Sequence, residues 1–565
     1  MKEWILLDQT ADMPDLPGIP GPVLRVLKNR GYNTKDAIER FLNPELKYLN
    51  SPFLFADMER AVERIVGAQR AGEKILVYGD YDADGITATA MLIQFLKGIG
   101  IDAGYYIPHR IIEGYGLSTR GVEFAREHKF SVLITVDCGT SSVAEIDMAR
   151  AAGIDVIVCD HHEPGEILPQ PFVFLNPKLV TAHYPFKELS GAGVVFKMIQ
   201  ALSIYLNKPE LAEDYLDLCA LGTVVDVAPL IDENRILVRF GLERMARTEN
   251  IGLERIIDRA GLKNKMLTPY HLSFIIGPRI NAGGRMAEAT IALKLFLTED
   301  HQEAGHIASR LEEENQRRQQ IEDLILNEAL YLIDEEKKDR NRVVVLAREG
   351  WHEGVIGIVA SRIVERFYRP AFLIALKDKR GKGSGRSIPG FHLAQALKYC
   401  QQELVSYGGH KQAAGLVIEQ SKIDGFETRI NEYASQFPED LFTPRTYIDT
   451  KISLAEIDYH LVEFLKKFEP TGIENPTPTF LGERLEVVGY PRVVANSHLR
   501  FALREKKKAL PAIGYGMGEK IVGLKVGQTR IDAVFTIDED SFQGKRRIMV
   551  KLKEIRESQG VAEGE

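Results

Sequence analysis

Cysteine is scarce in this 565-residue chain: Cys138, Cys159, Cys219 and Cys400 are scattered, with no CxxC pair. That spacing argues against a disulfide framework and a structural zinc site, and it fits a reducing cytoplasm. Long apolar runs are missing too, none approaching the ~18 residues that a membrane helix needs. The opening MKEWILLDQT has no basic region followed by a long apolar stretch, so no secretory leader is expected. No GxxxxGK[ST] loop occurs, which leaves P-loop nucleotide hydrolysis without support. Nor is there an excess of positive charge. The formal net charge is −8, which does not advertise a nucleic-acid partner. An enzyme that gathers carboxylates around metal carries part of that charge inside its site, and strand binding needs only a local basic path. The run Lys377 to Arg386, five cations against one anion, and the run Arg504 to Lys508 are candidates. Taken singly, each such run is more often a solvated face.

What is present reads as a multidomain globular protein, 45% hydrophobic and 27% charged, with three or four domains expected at this length. Residues 1–55 form an accessory segment, punctuated by Pro14, Pro17, Pro20 and Pro22 and then helical. From 56 the chain alternates helices with short, almost wholly apolar strands at 75–78, 101–107, 131–136 and 154–159. This pattern predicts a parallel α/β sheet covered on both faces, in a catalytic domain over 56–300. Residues 303–338 hold no proline and only one glycine, with recurring apolar positions. They predict a long connecting helix within 301–340, about 50 Å in length. A strand at Val343 opens a second α/β domain over 341–440. Over 441–565, short alternating stretches at 484–488, 498–503, 531–536 and 547–552 predict an all-β barrel of OB type.

The acids fall in a telling place. Asp80, Asp82 and Asp84 directly follow the first strand, Asp137 ends the next apolar run, and Asp160 with His161 and His162 ends another. In open α/β sheets ligands bind outside the carboxyl ends of strands, so three strand ends deliver carboxylates and imidazoles to one crevice. A single strand-ending Asp is often only the N-cap of the next helix. Three, one with a His pair, make coincidence a poor account. The segment Asp80 to Gly85 matches the opening of an EF-hand loop, but Met91 stands where the bidentate Glu is required. Carboxylates with imidazole favour Mn²⁺ or Mg²⁺ over a thiolate metal, and Cys138 and Cys159 are better read as small buried residues. Crowded carboxylates repel unless cations lie between them, which two ions about 3.5–4 Å apart provide. Asp226, after the apolar stretch Leu221 to Val225, completes the candidate set.

At these residues the chain resembles the DHH phosphoesterase superfamily. The match includes Asp80-Tyr81-Asp82-Ala83-Asp84-Gly85, Val136-Asp137-Cys138-Gly139, Asp160-His161-His162 and Val225-Asp226. Gly383-Ser384-Gly385-Arg386-Ser387, Gly408-Gly409-His410 and Trp351 to Gly354 with Gly357 to Arg362 resemble the accompanying DHHA1 domain. Gly277 to Arg285 and Phe468 to Pro476 are similar to the RecJ branch, and the likeness covers nearly the whole chain. The resemblance implies 5′→3′ degradation of single-stranded DNA to mononucleotides with Mn²⁺ or Mg²⁺, in two ions. It assigns Asp80, Asp82, Asp84, Asp137, His161 and Asp226 as metal ligands. Asp160, His162 and His410 are assigned to the reacting phosphate. Arg110, Ser384 and Arg386 are mapped to a terminal 5′ phosphate, with Arg279, Asn281, Arg285, Ser387, Gly408 and Gly409 as further substrate contacts. Where smaller DHH enzymes open the first motif with a His, Tyr78 and Gly79 stand here, and Asp80 is taken as the substitute.

Without the resemblance, the glycine-rich pieces read as ordinary turns and His410 as a structural histidine. Physically, Gly383 and Gly385 allow close backbone approach and Arg386 offers a bidentate fork to phosphate. The β-rich tail adds a groove in which bases stack. The resemblance further implies DNA repair and recombination in the cytoplasm, by a monomer without membrane attachment, alongside a single-strand-binding protein and a helicase. Two rivals remain: a phosphoesterase on short oligonucleotides or cyclic dinucleotides, which needs neither long helix nor tail, and an inactive DNA-binding replication scaffold, which should have lost acids that are all present here.

Overall fold

The computed structural model describes residues 2–7, 16–110, 112–286, 288–542 and 545–558. They form two compact units, the first built mainly from 52–226 and 243–444, the second from 4–51, 227–242 and 445–565.

The first unit opens with a five-stranded parallel sheet in the order Ala103–Tyr106, Ile75–Gly79, Val132–Val136, Asp155–Cys159, Val173–Leu175. Ile75–Gly79 and Val132–Val136 are buried at every residue, as continuous apolar runs require when helices cover both faces. The chain leaves Ile75–Gly79 for the strand on one side and returns to the strand on the other. The carboxyl ends of Ile75–Gly79 and Val132–Val136 therefore flank a topological switch point, where such sheets leave a crevice. Helix Ala83–Gly98 starts at that crevice and is buried over most of its length.

Helix His301–Glu335 has 35 residues and spans about 50 Å. Its buried stripe runs Ala304, Ala308, Leu311, Asn315, Arg318, Glu322, Ile325, Ala329, Ile333, in steps of three or four that keep one face inward. Midway the stripe turns polar: Arg318 pairs with Glu322 at 2.6 Å and reaches Asn315. Beyond it lies a mixed five-stranded sheet in the order Leu404–Gly409, Ala413–Glu419, Arg380–Arg386, Ala371–Lys377, Val344–Glu349. The basic run 377–386 is a hairpin in it, with Lys382 paired to Glu353.

In the second unit five strands close a barrel. Phe480–Val494 pairs with both His498–Glu505 and Arg530–Phe542, and the circuit is completed by Lys508–Gly514 and Lys545–Glu557. Lys508–Gly514 escapes a pattern reading because Pro511 interrupts it, a residue that demotes an apparent strand. The basic run 504–508 turns the hairpin before it, and Arg504 is paired with Glu486. The N-terminal helices Gly21–Asn29 and Lys35–Leu42 share the barrel's hydrophobic core. Arg235, almost fully buried, donates to the carbonyls of Phe41, Lys467 and Glu469. Residues 227–242 thus leave the contiguous 56–300 domain expected from sequence, and the N-terminal segment does not stand by itself. No helix among the described residues is long and apolar enough to cross a membrane.

Candidate metal centre

The acids of the first motif reach the crevice by different local devices. Asp82 caps helix Ala83–Gly98, its Oδ1 accepting from the amides of Asp84 and Gly85. Asp84 is buried, and its two oxygens accept from Gly191 at 2.7 Å and Ala192 at 2.9 Å, the first amides of helix Gly191–Tyr205. That approach needs small residues: a Cβ on Gly222 would lie 2.5 Å from Asp84 Oδ1, and one on Gly191 would lie 2.7 Å from Asp137. Asp137 carries φ of +60°, a left-handed conformation for a non-glycine residue and the kind of local strain that gathers at functional sites. Asp226 breaks the strand-end pattern, since it caps helix Leu216–Val225 at its C-terminus.

Asp160 has a different task. Its carboxylate accepts from the amides of Thr140, His161 and His162 and from His162 Nδ1 at 2.7 Å. Burial alone would raise its pKa; the His162 hydrogen bond and the two imidazoles overcome that and hold it well below the usual carboxylate range. Fully engaged and buried, Asp160 fastens the His161–His162 segment and the His162 ring. Burial lowers His162's pKa, but Asp160, Asp80 and Asp82 raise it further, for a net rise. His161 is instead pushed down to about 3 by burial and by His162, which keeps its imidazole neutral and able to ligate.

The residues fit a metal on three counts. Oδ1 of Asp80, Oδ1 of Asp137 and Nε2 of His161 are buried without hydrogen-bond partners, an expensive arrangement unless something else binds them. His161 Nε2 stands 3.0 Å from Asp137 Oδ1 and 3.7 Å from Asp226 Oδ2. Asp80, Asp84, Asp137 and Asp226 are all raised in pKa, Asp84 to about 7, by burial first and then by neighbouring carboxylates: Asp82 for Asp80 and Asp84, and Asp84 for Asp137 and Asp226. Three overlapping triads, Asp137/His161/His162, Asp84/His161/Asp226 and Asp80/Asp82/Asp137, each bring ligand atoms within 4.8 Å of one another.

A cavity of about 290 Å³ opens onto this cluster, lined by Asp80, Asp82, Asp84, Asp226 and His162 and also by Arg110, Asn281 and Arg285. Arg110 stacks over Tyr81 at 5.1 Å. Burial lowers the Arg285 pKa to about 9, helped by the charges of Arg110 and Arg386, and it lowers Arg386 too, again with Arg110. Arg386 also holds Ser384 Oγ, at 3.1 Å, and a Cβ on Gly357 would lie 2.8 Å from that oxygen and 3.0 Å from the guanidinium. Ser384 and Arg386 therefore stand at the N-terminus of helix Ile356–Phe367, which favours an anion. His410 lies on an exposed loop near enough for His162 to help lower its pKa, after burial.

Several expected substrate contacts are engaged elsewhere. The Arg279 guanidinium binds Glu312 and the Ile275 carbonyl, so it braces helices instead of facing the cavity. Ser387 Oγ donates to the Phe391 carbonyl and is buried. Asn281 accepts from the Ala83 amide at 2.8 Å and so holds the acidic loop. Gly409 is needed for its φ of +145° beside Ala414, whereas nothing presses on Gly408. One residue at the site gives no signal in the sequence: the Tyr115 hydroxyl lies 2.9 Å from His162 Nδ1, placed there by a loop without periodicity.

Comparison with known proteins follows the same division. Residues 74–223 match the N-terminal domain of the DHH family, 340–436 the DHHA1 domain and 448–554 the RecJ OB domain. The single-stranded-DNA-specific exonuclease RecJ of Bacillus subtilis is 36% identical over 543 residues, covering 95% of this chain and 68% of its own. That of Escherichia coli is 34% identical, covering 98% of this chain and 100% of its own. The crystal structure of RecJ with Mn²⁺ from Thermus thermophilus aligns with a TM-score of 0.83 at 30% identity, over 99% of this chain and 80% of that one.

Proposed function

The chain belongs to the RecJ family of single-stranded-DNA-specific exonucleases, and from that premise we propose that it removes mononucleotides from single-stranded DNA in the 5′→3′ direction. It is a metal-dependent DNA exonuclease, and RecJ relatives are seen with Mn²⁺ or Mg²⁺. Asp80, Asp82, Asp84, Asp137, His161 and Asp226 would hold the ions; Mn²⁺ or Mg²⁺, when bound, neutralises the carboxylates, activates water and stabilises the leaving oxygen.

The chain's own groups supply the rest. Asp160 fixes His162 through Nδ1, which leaves Nε2 as the ring nitrogen for an oxygen of the reacting phosphate. Arg110, Arg285 and Arg386 supply positive charge for the strand terminus, and burial strengthens the pull of Arg285 and Arg386 on a phosphate. Asn281 keeps the acidic loop in register with that clamp. The reading is carried by one observation: carboxylates and arginines line the same small cavity.

Repair and recombination are the setting this reading gives. The chain works in the cytoplasm as a monomer, beside a single-strand-binding protein and a helicase that present single strands. Four buried cysteines in no disulfide support the reducing compartment. The test of polarity compares 5′-labelled with 3′-labelled single strands, with Mn²⁺ and with EDTA. Labelled mononucleotide should appear first from the 5′ end and only with metal; release first from the 3′ end would overturn the direction.

A further inference from the structure

Residues 259–286 contain Arg259, Lys263, Lys265, Arg279 and Arg285 and no acid, whereas about four would be expected at the chain's overall frequency. In this stretch three large apolar side chains face solvent: Met266, Tyr270 and Phe274 are 84%, 62% and 68% exposed. Tyr270 and Phe274 lie with ring centroids 5.0 Å apart, tilted by 33°. Single exposed apolar residues need no explanation, but a paired aromatic face in an acid-free basic segment does.

The local structure presents that face rigidly. Thr268 and His271 form a reciprocal cap at the start of the helical run. A π-helical turn then spans Leu272–Ile276, a geometry that recurs at functional sites. Leu272 and Ile276 are buried beneath it while Tyr270 and Phe274 point out. The run is also tied to the metal centre: Ser273 Oγ donates to the Val224 carbonyl, and a Cβ on Gly277 would lie 2.6 Å from Val225, the neighbour of Asp226. It continues into helix Gly277–Met286, whose Asn281 grips Ala83. Seven residues separate Phe274 from Asn281, about 10 Å at a helical rise. The aromatic pair thus shares a continuous helical run with Asn281, which lines the cavity.

We propose that Tyr270 and Phe274 are a stacking platform for bases a few steps inward from the cleaved bond, with Lys265 drawing in the backbone. This rests on the exonuclease reading and adds to it where the strand runs. Stacking suits a nuclease without sequence preference because every base has a π-face. Both rings are solvent-exposed, so their removal leaves the fold intact.

The test uses the full chain with Mn²⁺ and two 5′-phosphorylated substrates, a thymidine 12-mer and a thymidine dinucleotide. In the Tyr270→Ala/Phe274→Ala double variant, the preference for the 12-mer, read as a ratio of kcat/KM, falls about 10-fold, through KM. Abasic sites at the inward positions impose the same loss on the wild type and add nothing in the double variant, while Tyr270→Trp/Phe274→Trp keeps the preference. An unchanged ratio would assign the aromatics to a protein partner and overturn the platform. Equal losses on both substrates would overturn it too, by showing a disturbed crevice. Failure of the exonuclease reading looks different, because the wild type would then release no mononucleotide from either substrate.

Discussion

One wall of the crevice is acidic, lined by Asp80, Asp84 and Asp226 with Asp137 clustered behind them; the other is basic, lined by Arg110 and Arg285 with Arg386 close enough to add its charge. Each group gathers like charges, and the pKa values move accordingly: the acids rise and Arg285 and Arg386 fall, by burial first and by like neighbours second. The difference lies in how each is secured. Asp84 and Asp82 are fastened by backbone amides at helix N-termini and Asp160 by four protein donors, so these three acids are held before any cation arrives. Among the described residues Arg285 donates to the Gly354 carbonyl, and Arg386 to the Ser384 hydroxyl and the Gly385 carbonyl, with donors to spare for a phosphate. On the proposed reading, the acidic wall performs the chemistry and the basic wall decides what is brought to it.

The sharpest way to break that division is Asp137→Ala. It removes an oxygen shared by two of the ligand triads, and cleavage should drop at least about 1,000-fold while single-strand affinity survives. Activity within 10-fold of wild type, in a Mn²⁺ titration of mononucleotide release, would displace the centre. Next comes the basic wall. Arg386→Ala should lower kcat/KM about 100-fold on a 5′-phosphorylated strand, since truncating one partner of a buried charge pair costs about 2–5 kcal/mol. A 5′-hydroxyl strand should suffer less, and Arg386→Lys should not restore the fork. Equal losses on both strands would show that Arg386 does not read the terminal phosphate.

Which parts of this were legible in the sequence follows from periodicity. Asp80, Asp137 and Asp160 were visible because each closes a short apolar strand, and strand ends in such a sheet converge. Helix His301–Glu335 and four barrel strands were visible for the same reason. Asp226 was found as an acid after an apolar run, but its helical setting was not. Pro511 hid the fifth strand. Arg279 and Ser387 sat in matching motifs, yet their partners, Glu312 and the Phe391 carbonyl, are set by tertiary packing and leave no local trace. Tyr115 reaches His162 from an aperiodic loop, and the association of residues 227–242 with the barrel depends on Arg235, an ordinary helix arginine until its carbonyl partners are known.

The acidic wall can also be probed without mutation. With no cation present, Asp84 titrates near 7 instead of at its ordinary 3.8. Its folded pKa lies above the unfolded one, so it contributes stability that is full below pH about 4 and is lost as pH rises through about 7. Asp80, Asp137 and Asp226 shift in the same direction. Cations bind the deprotonated set and reverse the loss, so the rise in Tm given by Mn²⁺ should be small at pH 6 and larger at pH 8. At 100 times the Kd the stabilisation is about 2.7 kcal/mol. A Tm shift that is flat with pH, measured by calorimetry, would separate metal binding from these carboxylates.

The smallest expected effect lies where the walls meet. Asn281 stands on the helix that carries Arg285, and its Oδ1 accepts from Ala83 within the acidic loop. Asn281→Ala leaves that amide without its partner in a half-buried place, a loss of about 1–3 kcal/mol. Part of it appears as a lower Tm. The rest should appear as looser registration between the loop and the arginines, with kcat falling less than 10-fold and KM for a 5′-phosphorylated strand rising more than for a 5′-hydroxyl one. Asn281→Asp keeps the acceptor but adds a fourth carboxylate beside Asp80, Asp82 and Asp84, so it should retain the Tm and demand more Mn²⁺ for half-maximal rate. If both variants instead lowered kcat alone, equally on the two strands, Asn281 would belong to the acidic wall only, and the coupling between the walls would have to run through Arg285 and its bond to the Gly354 carbonyl.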